Sequence, residues 1–126
     1  MTDFDELSQL AGEGGRRIFV AQNPIDLRAT QGANRLYILE LPVDRSGAAG
    51  GRIGGIGERK IQKLRCFQLD NGKCTKIRDV EDAENLERFE LPYSATGMSV
   101  ILPDGTEKIV TGVVDSDLVE QYNAII

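Results

Sequence analysis

The chain of 126 residues contains no histidine and no tryptophan, and only two cysteines. Without histidine there is no Ser-His-Asp or Cys-His catalysis, and none of the common His-ligated zinc, copper or haem sites. Two cysteines cannot supply a four-thiolate metal site either. Aromatic residues are scarce, with three tyrosines and four phenylalanines. That is thin material for the aromatic clefts of glycoside-cleaving carboxylate pairs, or for the stacking platforms that hold single-stranded nucleic acid. No apolar run approaches the roughly 20 residues of a membrane helix. The opening Met1-Thr2-Asp3-Phe4-Asp5-Glu6 has neither a basic nor an apolar leader segment, and Thr2 stands where myristoylation needs glycine. The closing Asn123-Ala124-Ile125-Ile126 has no cysteine to prenylate. The expectation is a cytoplasmic product, or one assembled into a virion from the cytoplasmic pool.

What is present is ordinary globular composition, 40% hydrophobic and 28% charged. The length suits one domain over residues 1–126, with a core large enough to stand without staples. The net charge is -5, unevenly spread. Residues 35–65 carry Arg35, Arg45, Arg52, Arg59, Lys60, Lys63 and Arg65, whereas residues 79–90 are acidic apart from Arg88. Two such stretches could pair head to tail between copies, or simply face solvent.

Turn chemistry gives the clearest local structure. Ile61–Leu69, Asp70-Asn71-Gly72 and Lys73–Ile77 predict a β-hairpin, because Asn-Gly suits the tight turn that strand twist demands. Met98–Leu102, Pro103-Asp104-Gly105 and Thr106–Val114 predict a second, with glycine at a left-handed position. Arg17–Ala21 is β-branched and aromatic and predicts a strand, ended by Asn23-Pro24. Arg35–Val43 is apolar on both faces over part of its length, as in a central strand, until Pro42 removes a donor. Arg88–Leu91 alternates like an edge strand.

Helical spacing is short. Thr2 to Leu10 predicts a helix through Phe4, Leu7 and Leu10, stopped by Gly12, Gly14 and Gly15. Asp79 to Arg88 predicts one or two turns capped by Asp79. A last helix starts at Asp115 or Ser116, and its stripe of Leu118, Val119, Tyr122, Ile125 and Ile126 must dock on its own sheet or a neighbour's. Together these predict a mainly β, β-rich α+β domain. The expected form is a small sandwich or barrel with two hairpins and short peripheral helices at both termini.

Chemistry is harder to find. Cys66 and Cys74 flank the first hairpin turn. With a two-residue Asn71-Gly72 loop they lie on opposite faces; with a three-residue Asp70-Asn71-Gly72 loop they share a face but sit diagonally, a poor disulfide geometry. Either register predicts two free, buried or half-buried thiols. Gly51-Arg52-Ile53-Gly54-Gly55-Ile56-Gly57 lacks both the P-loop ending and the dinucleotide glycine spacing, and it leads into a strand. Asp79, Glu81, Asp82 and Glu84 lack calcium-loop spacing. No S-x-x-K spacing occurs, and the cysteines sit in strands instead of at a helix N-terminus. No enzyme activity, metal or cofactor is expected. Tyr37 and Phe67 are the aromatics nearest the basic residues, and both fit as core residues of strands.

The remaining feature is the glycine-rich stretch 44–57, with Ile53 and Ile56 rimmed by Arg45, Arg52, Arg59 and Lys60. A stretch of this length and composition in a small domain is usually functional or disordered. Apolar residues among glycines, ringed by cations, suit an anchor for a partner surface. The expected partner-binding residues are therefore Arg45, Arg52, Ile53, Ile56, Arg59 and Lys60, with Ile125 and Ile126 at the other terminus. The expected partners are other protein subunits, in a homo-oligomer or larger assembly, with no membrane and no nucleic acid. In general character the chain resembles small structural subunits of large assemblies, such as bacteriophage head-tail connector, tail or decoration proteins. The alternatives are a small module binding single-stranded nucleic acid or a ligand, and a cytoplasmic regulator that binds a host protein through its acidic segment.

Overall fold

The computed structural model describes residues 3–13, 16–28, 33–41, 61–70, 72–81, 83–86, 89 and 95–125. In chain order the elements are α1 (Asp3–Glu13), β1 (Arg17–Ala21), β2 (Ile25–Asp26), β3 (Ala33–Glu40), β4 (Lys63–Asp70) and β5 (Lys73–Val80). There follow α2 (Ala83–Leu86), β6 (Thr96–Ile101), β7 (Glu107–Val114) and α3 (Ser116–Ile125). The seven strands form one mixed sheet in the order β2-β6-β7-β1-β3-β4-β5. The fold is thus β-rich with a short helix near each end. The layers packed on the sheet are helical, because the apolar stripes of α1 and α3 take the places a second sheet would fill in a sandwich. Among the described residues the sheet is open, with β2 and β5 at its edges.

Both hairpins form. Asp70 pairs with Lys73, and Gly72 has φ +77°. In the second hairpin Gly105 has φ +92° and donates its N–H to the Leu102 carbonyl at 2.9 Å. A residue with a Cβ is strained at either position. Strand β5 runs on to Val80 after a bulge that skips Ile77, since Phe67 pairs with Lys76 and Cys66 with Arg78. Asp79 therefore lies in a strand opposite Arg65, and does not cap the helical turn, which begins at Ala83. Helix α1 also passes through Gly12 to Glu13; no other group approaches within 4 Å of where a Gly12 Cβ would be. The expected strand 88–91 and residues 42–43 of the expected strand 35–43 lie outside the described residues, apart from Phe89, which is buried.

Period-two alternation divides the core in two. On one face, Phe19, Ala21, Leu36, Ile38, Phe67, Met98, Val100 and Val110 pack with Leu7, Leu10 and Ala11 of α1. On the other, Val20, Tyr37, Leu39, Leu64 and Cys66 pack with Leu86, Phe89, and Val119 and Tyr122 of α3. Tyr122 meets Tyr37 and Phe89 edge-on, at centroid distances of 5.2 and 5.0 Å. The stripe of α3 thus docks on its own sheet, at Val119 and Tyr122. Strand β3 is central, paired with β1 and β4, and its residues Leu36 to Leu39 are all buried.

Candidate functional site

The residues expected to bind a partner, Arg45, Arg52, Ile53, Ile56, Arg59, Lys60 and Ile126, lie outside the described residues; Ile125 is the last residue of α3. The base from which the 42–60 segment departs is well defined. Glu40 of β3 pairs with Lys63 of β4, and the Gln62 N–H donates to the Glu40 carbonyl at 2.7 Å. On the other side of β3, the Leu41 N–H donates to the Arg16 carbonyl at 2.9 Å. The segment therefore joins two adjacent antiparallel strands whose ends are pinned together.

The register carries this level across the sheet. Arg17 pairs with Glu40, and Phe19 pairs in parallel with Gly112. Counting back along β7 puts Ile109 level with Leu41, two strands away, or roughly 10 Å. Alternation puts both side chains on the α3 face. On this face α3 packs chiefly on β1 and β3, and of β7 it is Val113, four residues beyond Ile109, that packs against the cluster holding Val119 and Tyr122. Ile109 is 69% exposed. Around it on this face are the pairs Ser99–Ile109, Ile101–Glu107 and Gly97–Thr111. The Ile109 Cγ2 lies 3.4 Å from where a Gly97 Cβ would be, so the missing side chain leaves a notch beside it. Asp104 in the adjoining turn accepts the Thr106 N–H at 2.9 Å; that backbone bond holds its carboxyl below its ordinary value. An isolated exposed isoleucine needs no explanation; one beside a notch, toward the end of β7 away from Val113, makes a candidate contact surface.

The chain matches no family model, no curated protein and no solved structure.

The other polar clusters engage one another. On the α1 face Arg65 bridges Glu40 at 2.9 Å and Glu6 at 3.6 Å. Lys76 bridges Glu6 and Asp79, each at 3.1 Å. Lys63 bridges Asp79 at 3.4 Å and Glu81 at 3.1 Å. Burial alone would raise the Asp79 carboxyl, but the Lys76 hydrogen bond and the charge of Lys63 outweigh it and hold it below its ordinary value. These alternating charges tie α1 to β3, β4 and β5. Of the two stretches of opposite charge, Lys63 on one side and Asp79 and Glu81 on the other meet within a single chain. Arg35 donates to Asn123 at 3.0 Å and to Gln68 at 3.2 Å, and Tyr37 donates to the same Asn123 oxygen.

Both thiols are free, on opposite faces. Burial pushes Cys66 above its ordinary value and Cys74 up to about 12, with Asp3 and Glu6 adding to the latter. A thiol held protonated is a poor nucleophile and a poor ligand. Among the described residues no three His, Cys, Asp or Glu side chains converge as metal ligands. A cavity lined by Asn23, Asp26, Asn34 and Arg35 has a volume of about 30 Å³. That is room for about one water and far below a ligand pocket of roughly 300 Å³ or more. Tyr37 and Phe67 are 0% exposed, so neither ring is open to a base. No helix among the described residues is long and apolar enough to cross a membrane.

Sequence reasoning missed the β6–β7 face. Lys108-Ile109-Val110-Thr111-Gly112-Val113 is apolar at both parities, so alternation does not tell which isoleucine or valine a helix covers. The signal lies in the register, which the chain order does not reveal.

Proposed function

We propose that the protein is a non-enzymatic structural subunit of a larger protein assembly, in which copies or related subunits make contact through the 44–57 segment. A bacteriophage particle, as a head-tail connector, tail or decoration protein, is the setting its general character suits best. The observation that carries this reading is the pinned base at Leu41 and Gln62. The basic, isoleucine-bearing segment leaves and rejoins the sheet at the end where Ile109 stands 69% exposed. The mutual pairing of the partly exposed ions and the raised pKa of both thiols support a structural role over a catalytic one.

The test is the native mass of the purified chain by light scattering over a range of concentrations, beside a variant with residues 44–57 shortened to a few. Closure entropy changes slowly with loop length, so the shortened chain is expected to melt within about 1 kcal/mol of the parent. It is expected to lose association. A parent that is monomeric at every concentration, a shortened chain that associates as before, or one that fails to fold would each overturn the reading.

A further inference from the structure

We infer that the Asp104-Gly105 step of the β6–β7 turn is a latent isoaspartate site, which the folded turn holds closed and the opening of that turn exposes. The inference is independent of the assembly reading and uses only the turn's own residues.

The residue types make the reaction available. Glycine has no side chain to shield its amide nitrogen, so that nitrogen can attack the Cγ of a preceding aspartic acid. The bond from the Gly105 nitrogen to the Asp104 Cγ forms, the Cγ–OH bond breaks, and the hydroxyl leaves as water with the amide proton. The five-membered imide then takes back one water. Opening at Cγ restores aspartate. Opening at the Asp104 main-chain carbonyl leaves the chain running through the side chain, as isoaspartate. Mass and oxidation state are unchanged, and water is the only co-reactant. Water has access, because residues 103–109 are all exposed.

The folded turn engages both reacting groups. The Gly105 N–H donates to the Leu102 carbonyl at 2.9 Å, so the attacking nitrogen is committed to the turn. The Asp104 Oδ1 accepts the Thr106 N–H at 2.9 Å, so the carboxyl under attack is held forward. That bond and the Thr106 hydroxyl also favour the ionised carboxylate, whereas the hydroxyl can leave only from the neutral acid. The Leu102 N–H, donating to the Thr106 carbonyl at 2.8 Å, closes the turn behind them. Among the described residues, the nearest group from elsewhere in the chain to where a Gly105 Cβ would sit is the Arg28 Nη1, at 3.9 Å. The gate is therefore the turn itself.

The product is at odds with the closed turn. Isoaspartate adds one methylene to the main chain between the Leu102 carbonyl and the Gly105 N–H, the two groups whose bond makes the turn. The pairs Ile101–Glu107 and Val100–Lys108 follow directly behind it, and Val100 is a fully buried core residue. An opening that ends in reaction thus weakens the hairpin that had prevented it, and the chain keeps a record of time spent with this turn open.

The experiment holds the whole chain at mildly acid pH below its melting transition, one sample native and one unfolded in guanidinium chloride. Isoaspartate is read by peptide mapping, which keeps this step separate from Asn71-Gly72. An Asp-specific protease cuts before Asp104 but not before isoaspartate, and the modified peptide elutes apart at unchanged mass. Formation at position 104 is expected to be about tenfold or more slower in the native sample. In the native parent the Gly105 amide is expected to be protected from hydrogen exchange. Thr106→Pro removes the N–H that holds Asp104 and keeps the carbonyl that Leu102 uses, and it is expected to raise the native rate several-fold. Gly72→Val strains the other hairpin and is expected to leave the rate at Asp104 near the parent's. Equal rates in the native and unfolded parent, or an unprotected Gly105 amide, would overturn the inference without any variant. So would a native Thr106→Pro rate no higher than the parent's. A rise in Gly72→Val as large as in Thr106→Pro would place the opening in global unfolding and overturn the turn as the gate.

Discussion

The Lys63–Val80 and Thr96–Val114 hairpins turn on the same chemistry, a glycine at positive φ, yet they meet different surroundings. In the first, β5 is a sheet edge. An edge strand invites unwanted pairing, and this one is guarded. The Asp3 carboxylate accepts the Lys76 N–H at 2.8 Å, Lys73 and Arg78 line the strand, and the bulge at Ile77 twists it. In the second, β7 is interior to the sheet, held between β6 and β1. Its edges are satisfied, and its Ile109 is 69% exposed, against 38% for Ile77 at the bulge of the first hairpin. Each hairpin thus leaves an isoleucine partly in water; charge guards the edge backbone, and pairing guards that of β7.

Three measurements would break or sharpen this contrast. The largest effect is expected at Gly112. A Cβ there would sit 2.5 Å from the Phe19 carbonyl oxygen and 2.8 Å from the Met98 Cε. The first neighbour is backbone and cannot turn aside. Gly112→Val should therefore destabilise by about 3 kcal/mol or more in chemical denaturation, whereas Thr75→Val on the exposed side of β5 should change stability by less than about 0.5 kcal/mol. Equal costs would mean that β7 is no more confined than β5. The two turns should cost less and cost alike: Gly72→Val and Gly105→Val are each expected to lose on the order of 1–3 kcal/mol. Unchanged melting temperatures would remove the shared turn chemistry.

The smallest effect separates the hairpins by pH. Cys66 and Cys74 both lie in the first, and burial raises both, Cys74 to about 12 from an ordinary 9.0. An acid kept neutral in the folded chain adds no pH dependence below its unfolded value. Above it the unfolded chain sheds a proton that the folded chain retains, so stability falls from about pH 9 upward. Tyr37, also raised chiefly by burial, acts in the same direction. Cys74→Ala should flatten the decline in melting temperature between pH 8 and 10. An unchanged slope would remove Cys74 as a source of the alkaline sensitivity.

The turns and strand cores were readable because their causes are local. Asn71-Gly72 and Asp104-Gly105 state their turn geometry in two residues, and the doubly apolar Leu36–Leu39 run states a central strand. The rest depended on partners far along the chain. Residues 73–80 read as a strand and then a helical turn, because the bulge at Ile77 breaks the alternation and only the pairing with Arg65 and Lys63 keeps Asp79 in the sheet. Strand β2 is two residues long and exists through its parallel pairing with β6. Gly12 carries no obstacle to a helix when α1 is packed on a sheet by Leu7, Leu10 and Ala11. At the candidate surface, the basic, isoleucine-bearing segment was legible from composition alone, whereas Ile109 was not. Its exposure follows from where α3 comes to rest.

The parallel pairing of β1 with β7 has a consequence during synthesis. Strand β1 leaves the ribosome early and finds β3 soon after, but its other edge, at Phe19, Val20 and Ala21, is completed only by Gly112, Val113 and Val114. Until β7 has been translated, the nascent chain carries an open, strongly apolar strand edge in the middle of its future sheet, with neither the charge nor the bulge that guards β5. Contacts of such long sequence separation form late and slowly, and unpaired edges of this kind are where nascent chains aggregate. Overproduction at high temperature should therefore favour inclusion bodies through β1, and a chaperone that shields extended apolar segments should raise the soluble yield more than any substitution on the finished surface.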